Sequence, residues 1–378
     1  MLYLFCLPRQ TKKDIASIGA KRQLLYFLNQ KIMLKIKIFL LLLLPLLWSC
    51  SDQDAEYVNI PLEFKVPSNF PALAYNIALN PPTEKGFELG KKLFYDGRLA
   101  SDGVVSCGFC HIQANAFTHH GHTVSHGVND AQGTRNTPPI QNLAYQSIFM
   151  YDGAADHLDL QPLIPLKSVI EMNGDLNAIL EMMKGDKEYQ KLFAQAFDDG
   201  AITTENMLKA MSQFMVMIVS SNSKFDKYRR NEAGGTLTSD ELAGYDLFKS
   251  KCASCHATDL QTDNSFRNNG LAVNPFVNDV GRYKVTELTT DYYKFKVPSL
   301  RNVEVSGPYM HDGRFGTLEG VLDHYASGIE SSATLDPILK QNGKLGITLS
   351  ETDKKQIIAF LKTLTDHQYL TDKRFSEY

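Results

Sequence analysis

Apolar residues along this chain fall into a few distinct patterns. Ile38 to Trp48 reads IFLLLLLPLLW, eleven apolar positions behind Lys35 and Lys37. A bilayer-spanning helix needs about 20 such residues, so the run has the length of a signal-peptide core. Further along, Leu176–Phe197 and Thr204–Tyr228 space Leu, Ile, Met and Phe at helical intervals, which predicts two long helices. The Met and Phe stripe in MLKAMSQFMVMIV reads as core. Near the end, LSETDKKQIIAFLKTLTD is amphipathic, and Ser350 with Asp353 forms a capping-box pattern ahead of it. Thr238 or Ser239 caps another helix, with Glu241 in its first turn. Strand patterns are minor.

Two segments resemble each other. EKGFELGKKLFYDGRLASDGVVSCGFCH ends at His111, and TSDELAGYDLFKSKCASCH ends at His256. Each places G-x-x-L-F on a helix (Gly90–Phe94 and Gly244–Phe248) ahead of C-x-x-C-H, so the chain carries a degenerate internal duplication. The linker NEAGGTLTSD, residues 231–240, separates the halves. The expectation is a mainly α fold of two cytochrome c-type domains, each with one covalently bound haem, packed around a shared interface. A leader covers 1–49, the first domain 50–233 and the second 234–378.

The cysteines give this duplication its chemistry. There are six, and Cys107, Cys110, Cys252 and Cys255 form two C-x-x-C pairs, each followed by His. C-x-x-C-H is the attachment signal of a c-type haem. Two thiols on one turn bond the vinyl groups, and the next residue reaches the iron. His111 and His256 are therefore the expected proximal ligands. A disulfide framework or a zinc site leaves the adjacent histidines unexplained.

Cys50 closes the leader as LWSC, which looks like a bacterial lipobox. On that reading Cys50 carries a lipid, the mature protein faces the periplasm, and the lipid is its only membrane attachment; an ordinary signal peptide is the alternative. Met33 offers a well-proportioned start, leaving residues 1–32 without a fold. Residues 1–49 hold eight of the 39 Lys/Arg and one of the 42 Asp/Glu. The remainder thus has 31 basic and 41 acidic side chains, a formal charge of −10. That excludes nucleic acid as a natural partner and suits a small basic cytochrome steered by opposite charge.

Around the haem signals, RNTPP (135–139), FMYDG (149–153), IEM (170–172), FKVPSLRN (295–302) and GPYMHDGRFGTLEGVLDHY (307–325) follow in order. This arrangement resembles the bacterial dihaem cytochrome c peroxidase family, which includes MauG, over nearly all the chain from about residue 60. The resemblance implies an oxidoreductase that meets hydrogen peroxide at the first haem and handles electrons at the second. It implies Glu171 as acid–base group, Gln161 beside it, and Tyr151 where the family usually has an electron-relaying Trp. The only Trp, Trp48, lies in the leader. His126, in SHG, matches a loop histidine that closes the first iron in some members and is absent from it in others. His119, His120 and His122 are expected to be solvated.

For the second iron, Tyr325 matches the distal position, with Met310 as rival. Tyr309, His311, Asp312 and Arg314 are expected near that haem or its propionates. One calcium ion is implied between the domains, at Asn136 and the backbone of residues 296–298. A small cytochrome c or other redox protein is the implied donor, and homodimers are common in the family. Two rival functions stay open: MauG-like oxidation of a protein substrate, and non-catalytic electron carriage.

Overall fold

Thr83 opens the first well-formed helix: its Oγ accepts from Gly86 N at 3.1 Å. This helix, α1 (Glu84–Tyr95), buries Gly86, Leu89, Gly90, Leu93 and Phe94, the spacing of one apolar face. The computed structural model describes residues 23, 25–35, 59–275, 277–341 and 343–377. The signal-peptide core, Trp48 and the lipobox Cys50 lie outside them. Residues 25–35 are helical and exposed, so part of the stretch expected to carry no fold has secondary structure. No helix among the described residues is long and apolar enough to cross a membrane.

Residues 58–378 form one unit and are mainly helical. After α1 come α2 (Leu176–Gly185), α3 (Lys187–Ala196), α4 (Thr204–Val216), α5 (Lys224–Arg229), α6 (Ser239–Lys251) and α7 (Glu351–Lys362), with shorter turns between. Among the described residues strand is confined to two antiparallel pairs, Phe266–Arg267 with Phe295–Lys296 and Lys340–Gln341 with Lys344–Leu345. The two long helices expected from periodicity are each broken in two. Asp186 ends α2 and caps α3, accepting from Glu188 N at 2.9 Å. Ser223 starts α5 with a capping box closed by Asp226. In both cases a side chain that competes for backbone N–H groups overrides continuous apolar spacing. The capping boxes at Thr238–Glu241 and Ser350–Asp353 form as expected.

The internal duplication is visible in packing. α1 crosses α4 at Gly90, where a Cβ would stand 2.0 Å from Ala210 O and 2.8 Å from Phe214 Cβ. α6 crosses α7 at Gly244 in the same way, where a Cβ would stand 1.9 Å from Gln356 O and 3.0 Å from Phe360 Cβ. The glycine of each G-x-x-L-F is thus the point of closest helix approach. Asn142 and Asn302 sit at matching places, both left-handed, with φ 55° and 58°. Asn142 N bonds Ile218 O and its Oδ1 accepts from Ser220 N; Asn302 N bonds Leu364 O and its Oδ1 accepts from Asp366 N.

Two main hydrophobic cores follow. The first gathers α1, α3 and α4 around Phe94, Phe117 and Phe214. The second gathers α5, α6 and α7 around Phe225, Phe248 and Phe360. Phe225 and Tyr228, ahead of the Gly234–Gly235 linker, join the second core, while Tyr369 and Phe375 return to the first. Between the cores, Gln141 Nε2 donates to Arg301 O at 2.8 Å and Asn302 Nδ2 donates to Gln141 Oε1 at 2.6 Å. The guanidinium of Arg301, fully buried, pairs with the equally buried Asp226.

Candidate active site

The first C-x-x-C-H lies on a single helical turn, Cys107–Cys110, capped by Ser106. His111 Nδ1 is held by Phe117 O at 2.7 Å. That bond fixes the ring and leaves Nε2 to face outward. Burial lowers the His111 pKa to about 4, so the ring is neutral at pH 7 and offers a lone pair. The second C-x-x-C-H repeats the device: His256 Nδ1 meets Gln261 O at 3.1 Å, and burial lowers its pKa.

A cavity of about 480 Å³ opens beside His111. Cys107, Cys110, His111, His126, Asn136, Tyr151, Gln161 and Glu171 all line it, so residues spread over 65 positions in sequence converge on one space. Apolar walls come from Phe94, Ile140, Leu143, Met211 and Met215. Two thiols, a held imidazole and apolar walls fit a covalently attached haem.

Glu171 follows the turn after the helix Leu163–Lys167. Its backbone N bonds Ser168 O at 3.0 Å. Asp175, not Glu171, caps the next helix, so helix capping does not account for this carboxylate. Burial raises its pKa, opposed by a hydrogen bond from Ser168 and by the charge of Arg135. Gly127 packs against the Glu171 backbone. A Cβ there would stand 2.2 Å from Ile170 O and 2.4 Å from Glu171 O, and Val128 N bonds Glu171 O at 2.8 Å. The loop bearing His126 is thereby tied to the segment bearing Glu171. Cys110 Sγ also donates to His126 O at 3.3 Å.

Gln161 Nε2 donates to Met150 Sδ at 3.4 Å, at the far wall. Met150 and Tyr151 belong to the FMYDG turn, where Met150 has φ 67°. Tyr151 O accepts from Lys296 N at 2.7 Å. Burial raises the Tyr151 pKa strongly, with Arg135 and Asp312 the nearby charges. Arg135 pairs with Asp152 at 2.6 Å and also with Asp279, which joins this wall to the second half.

The histidine run departs from expectation at one position. His120 and His122 are exposed, but His119 is 5% exposed and not solvated. Phe117 O must reach back to His111, and Ile112 pairs with Thr118, which pulls the following residue inside. His119 stacks on His122 at 4.1 Å, and His122 meets His126 at 4.6 Å.

A second cavity, about 380 Å³, borders His256, Phe248, Phe360 and Arg229. Tyr325 and Met310 do not line it. Both instead surround Asn269: its Nδ2 donates to Met310 Sδ at 3.4 Å, and it hydrogen-bonds Tyr325. Burial pushes Tyr325 up to about 12, with Cys255 and Cys252 the nearby ionisable groups. Met310, φ 75°, is the repeat of Met150. Tyr309 donates to Val303 O at 2.9 Å, His311 stacks on Phe295 at 3.8 Å, and Arg314 pairs with Asp312. Asn136 bonds His311 O through its backbone N at 2.7 Å and donates from Nδ2 to His122 O and Thr123 O.

Two residues of these sites escaped sequence reasoning. Asn269 carried no motif signal. Met150 did: M-x-D-G recurs at 150–153 and 310–313.

Known proteins resemble this chain over most of its length. Residues 84–234 match the di-haem cytochrome c peroxidase family. The MauG protein of Methylorubrum extorquens is 37% identical over 319 residues, covering 83% of this chain and 86% of that protein. The chain belongs to the dihaem cytochrome c peroxidase and MauG family. Cytochrome c551 peroxidase of Nitrosomonas europaea is 32% identical over 297 residues, covering 77% of this chain and 83% of that one. A crystal structure of a MauG-like protein associated with microbial copper homeostasis superposes with a TM-score of 0.74. It is 32% identical, and the match covers 84% of this chain and 99% of that one. The family relationship implies haem as cofactor and oxidoreductase chemistry, and its named members include both peroxidases and MauG.

Proposed function

We propose that this protein is a dihaem c-type peroxidase that reduces hydrogen peroxide to water at the His111 cavity. One observation carries the reading: Glu171 and Gln161 share a single cavity with His111, Cys107 and Cys110. Cys107, Cys110 and His111 would hold a haem, which would supply the iron that reacts with peroxide. Glu171 then accepts the proton of the nearer peroxide oxygen and returns it to the farther one, so that water leaves. Gln161 orients that oxygen. His126 has to stay away from the iron during turnover. Cys252, Cys255 and His256 would hold a second haem, which would supply the entry point for electrons.

Calcium at Asn136 and the backbone of 296–298 would brace the two halves. Outside the core chemistry, we propose lipid attachment at Cys50 on the periplasmic side of the envelope. The charge of −10 beyond the leader favours a small basic cytochrome as donor.

A second reading is MauG-like oxidation of a protein side chain. It is favoured by Tyr325: a phenolate on the second iron favours high oxidation states over electron uptake. Steady-state consumption of peroxide with a reduced small cytochrome separates the two. Donor-dependent turnover supports the peroxidase. No turnover, with an oxidised state that persists until a protein substrate is added, supports the second reading.

A further inference from the structure

Three tyrosines outside the site lie against one another at the surface. The rings of Tyr283 and Tyr292 stack with centroids 3.9 Å apart and planes 19° apart, and Tyr292 meets Tyr293 at 5.7 Å. None of the three belongs to a hydrophobic core among the described residues, so packing alone does not account for them.

One of them sits on a helix that reaches the His111 cavity. Tyr283 begins the short helix Tyr283–Thr286, whose Lys284 and Val285 line that cavity. The preceding Arg282 donates to Asp152 O at 3.1 Å, next to Tyr151, and lies over the Phe266 ring at 3.8 Å. Tyr293 is held at φ 57°, a costly conformation for an aromatic residue. There it borders a small cavity with Phe295 and His311, themselves stacked. Just beyond that helix, Leu288 is 58% exposed. A stacked phenol is a ready one-electron donor, because ring overlap with its neighbour spreads the charge left behind.

We propose that the Tyr283–Tyr292 pair is the surface terminus of an oxidation route, through which oxidising equivalents raised by peroxide at the His111 cavity reach a phenolic reductant at the protein surface. This rests on the peroxidase reading above. When no reductant is present, the pair itself is consumed. Each phenol gives up one electron and one proton, and the ring carbons beside the two oxygens join in a new C–C bond. The two electrons and two protons reduce one hydrogen peroxide, whose O–O bond breaks, to two waters.

The test adds one equivalent of hydrogen peroxide to the holoprotein without donor, follows the visible spectrum, and then maps cross-linked peptides by mass spectrometry. The expected result is a peptide pair joined through Tyr283 and Tyr292 with loss of two hydrogens. It should be lost in Tyr292→Phe and in Tyr283→Phe, and suppressed in wild type by excess phenol. Both variants keep the ring stack, so circular dichroism should match wild type. A spectrum that responds to peroxide while the pair stays intact, or a cross-link at Tyr228–Tyr245 instead, overturns this proposal alone. A spectrum that never responds overturns the peroxidase reading and this proposal with it.

Discussion

Replacing Glu171 with Gln keeps the shape of the His111 cavity and removes its proton carrier. A positioned acid–base group contributes about 10²- to 10⁴-fold, which is about 3–5 kcal/mol of barrier at 1.36 kcal/mol per tenfold. The structure favours the upper part of that range, because no unpaired carboxylate in the cavity can replace it. Among the described lining residues the only other carboxylate is Asp152, and it is already paired with Arg135 at 2.6 Å. The assay is stopped-flow absorbance of the holoprotein mixed with peroxide, which needs no electron donor.

The pH profile gives a second, independent reading. Glu171 must start as carboxylate to take the peroxide proton. Burial raises its pKa above the ordinary value of 4.5, so the rate should fall on the acid side at a higher pH than an exposed Glu would give. Ser168 hydrogen-bonds the charged form and lowers that pKa. Ser168→Ala should therefore move the acid limb further up, and Glu171→Gln should abolish it. A Glu171→Gln protein that reacts within threefold or so of wild type, below the range expected for an acid–base group, would refute the reasoning. So would an acid limb that survives the substitution.

Other variants test the frame and the second site. Arg301→Met strands the fully buried Asp226 carboxylate and should cost about 3–5 kcal/mol in denaturant unfolding, whereas Arg301→Met with Asp226→Asn should recover part of it. A change under about 1 kcal/mol, the scale of a surface pair, would contradict a fully buried ion pair. Gly90→Ala drives a Cβ to within 2.0 Å of Ala210 O and should cost at least about 1–3 kcal/mol by overpacking, read by the thermal midpoint. At the second haem, Tyr325→Phe should change the visible and EPR spectra while Met310→Leu leaves them alone; the opposite pair of results assigns the ligand to Met310. Because Tyr325 is pushed up to about 12 without iron, its ligation must release a proton, so that low-spin signal should weaken as pH falls.

Much of this site could be read before any coordinates. Two C-x-x-C-H units single out His111 and His256 in the sequence, but the carbonyls of Phe117 and Gln261 that hold their rings carry no motif. The glycine of each G-x-x-L-F was visible as a repeat, though its role as a helix crossing point needed the partner helix, more than 100 residues away. Glu171 stood out only through resemblance, because a carboxylate in a turn has no period of its own. The breaks at Asp186 and after Val216 were missed for the same reason, since polar caps outcompete apolar spacing there. His119 was misjudged because its burial follows from the Phe117 carbonyl reaching back to His111, a contact that no local pattern carries. Asn269 is recognisable only once Met310 and Tyr325 are seen to meet on it.

The central claim is that the His111 site meets peroxide on an open face. EPR and visible spectra of the purified holoprotein, as isolated and half-reduced, before and after one equivalent of peroxide, address it most directly. The account predicts a high-spin iron in at least one of these states that is consumed by stoichiometric peroxide. Two low-spin irons in every state, unchanged by peroxide, would contradict it and leave an electron carrier.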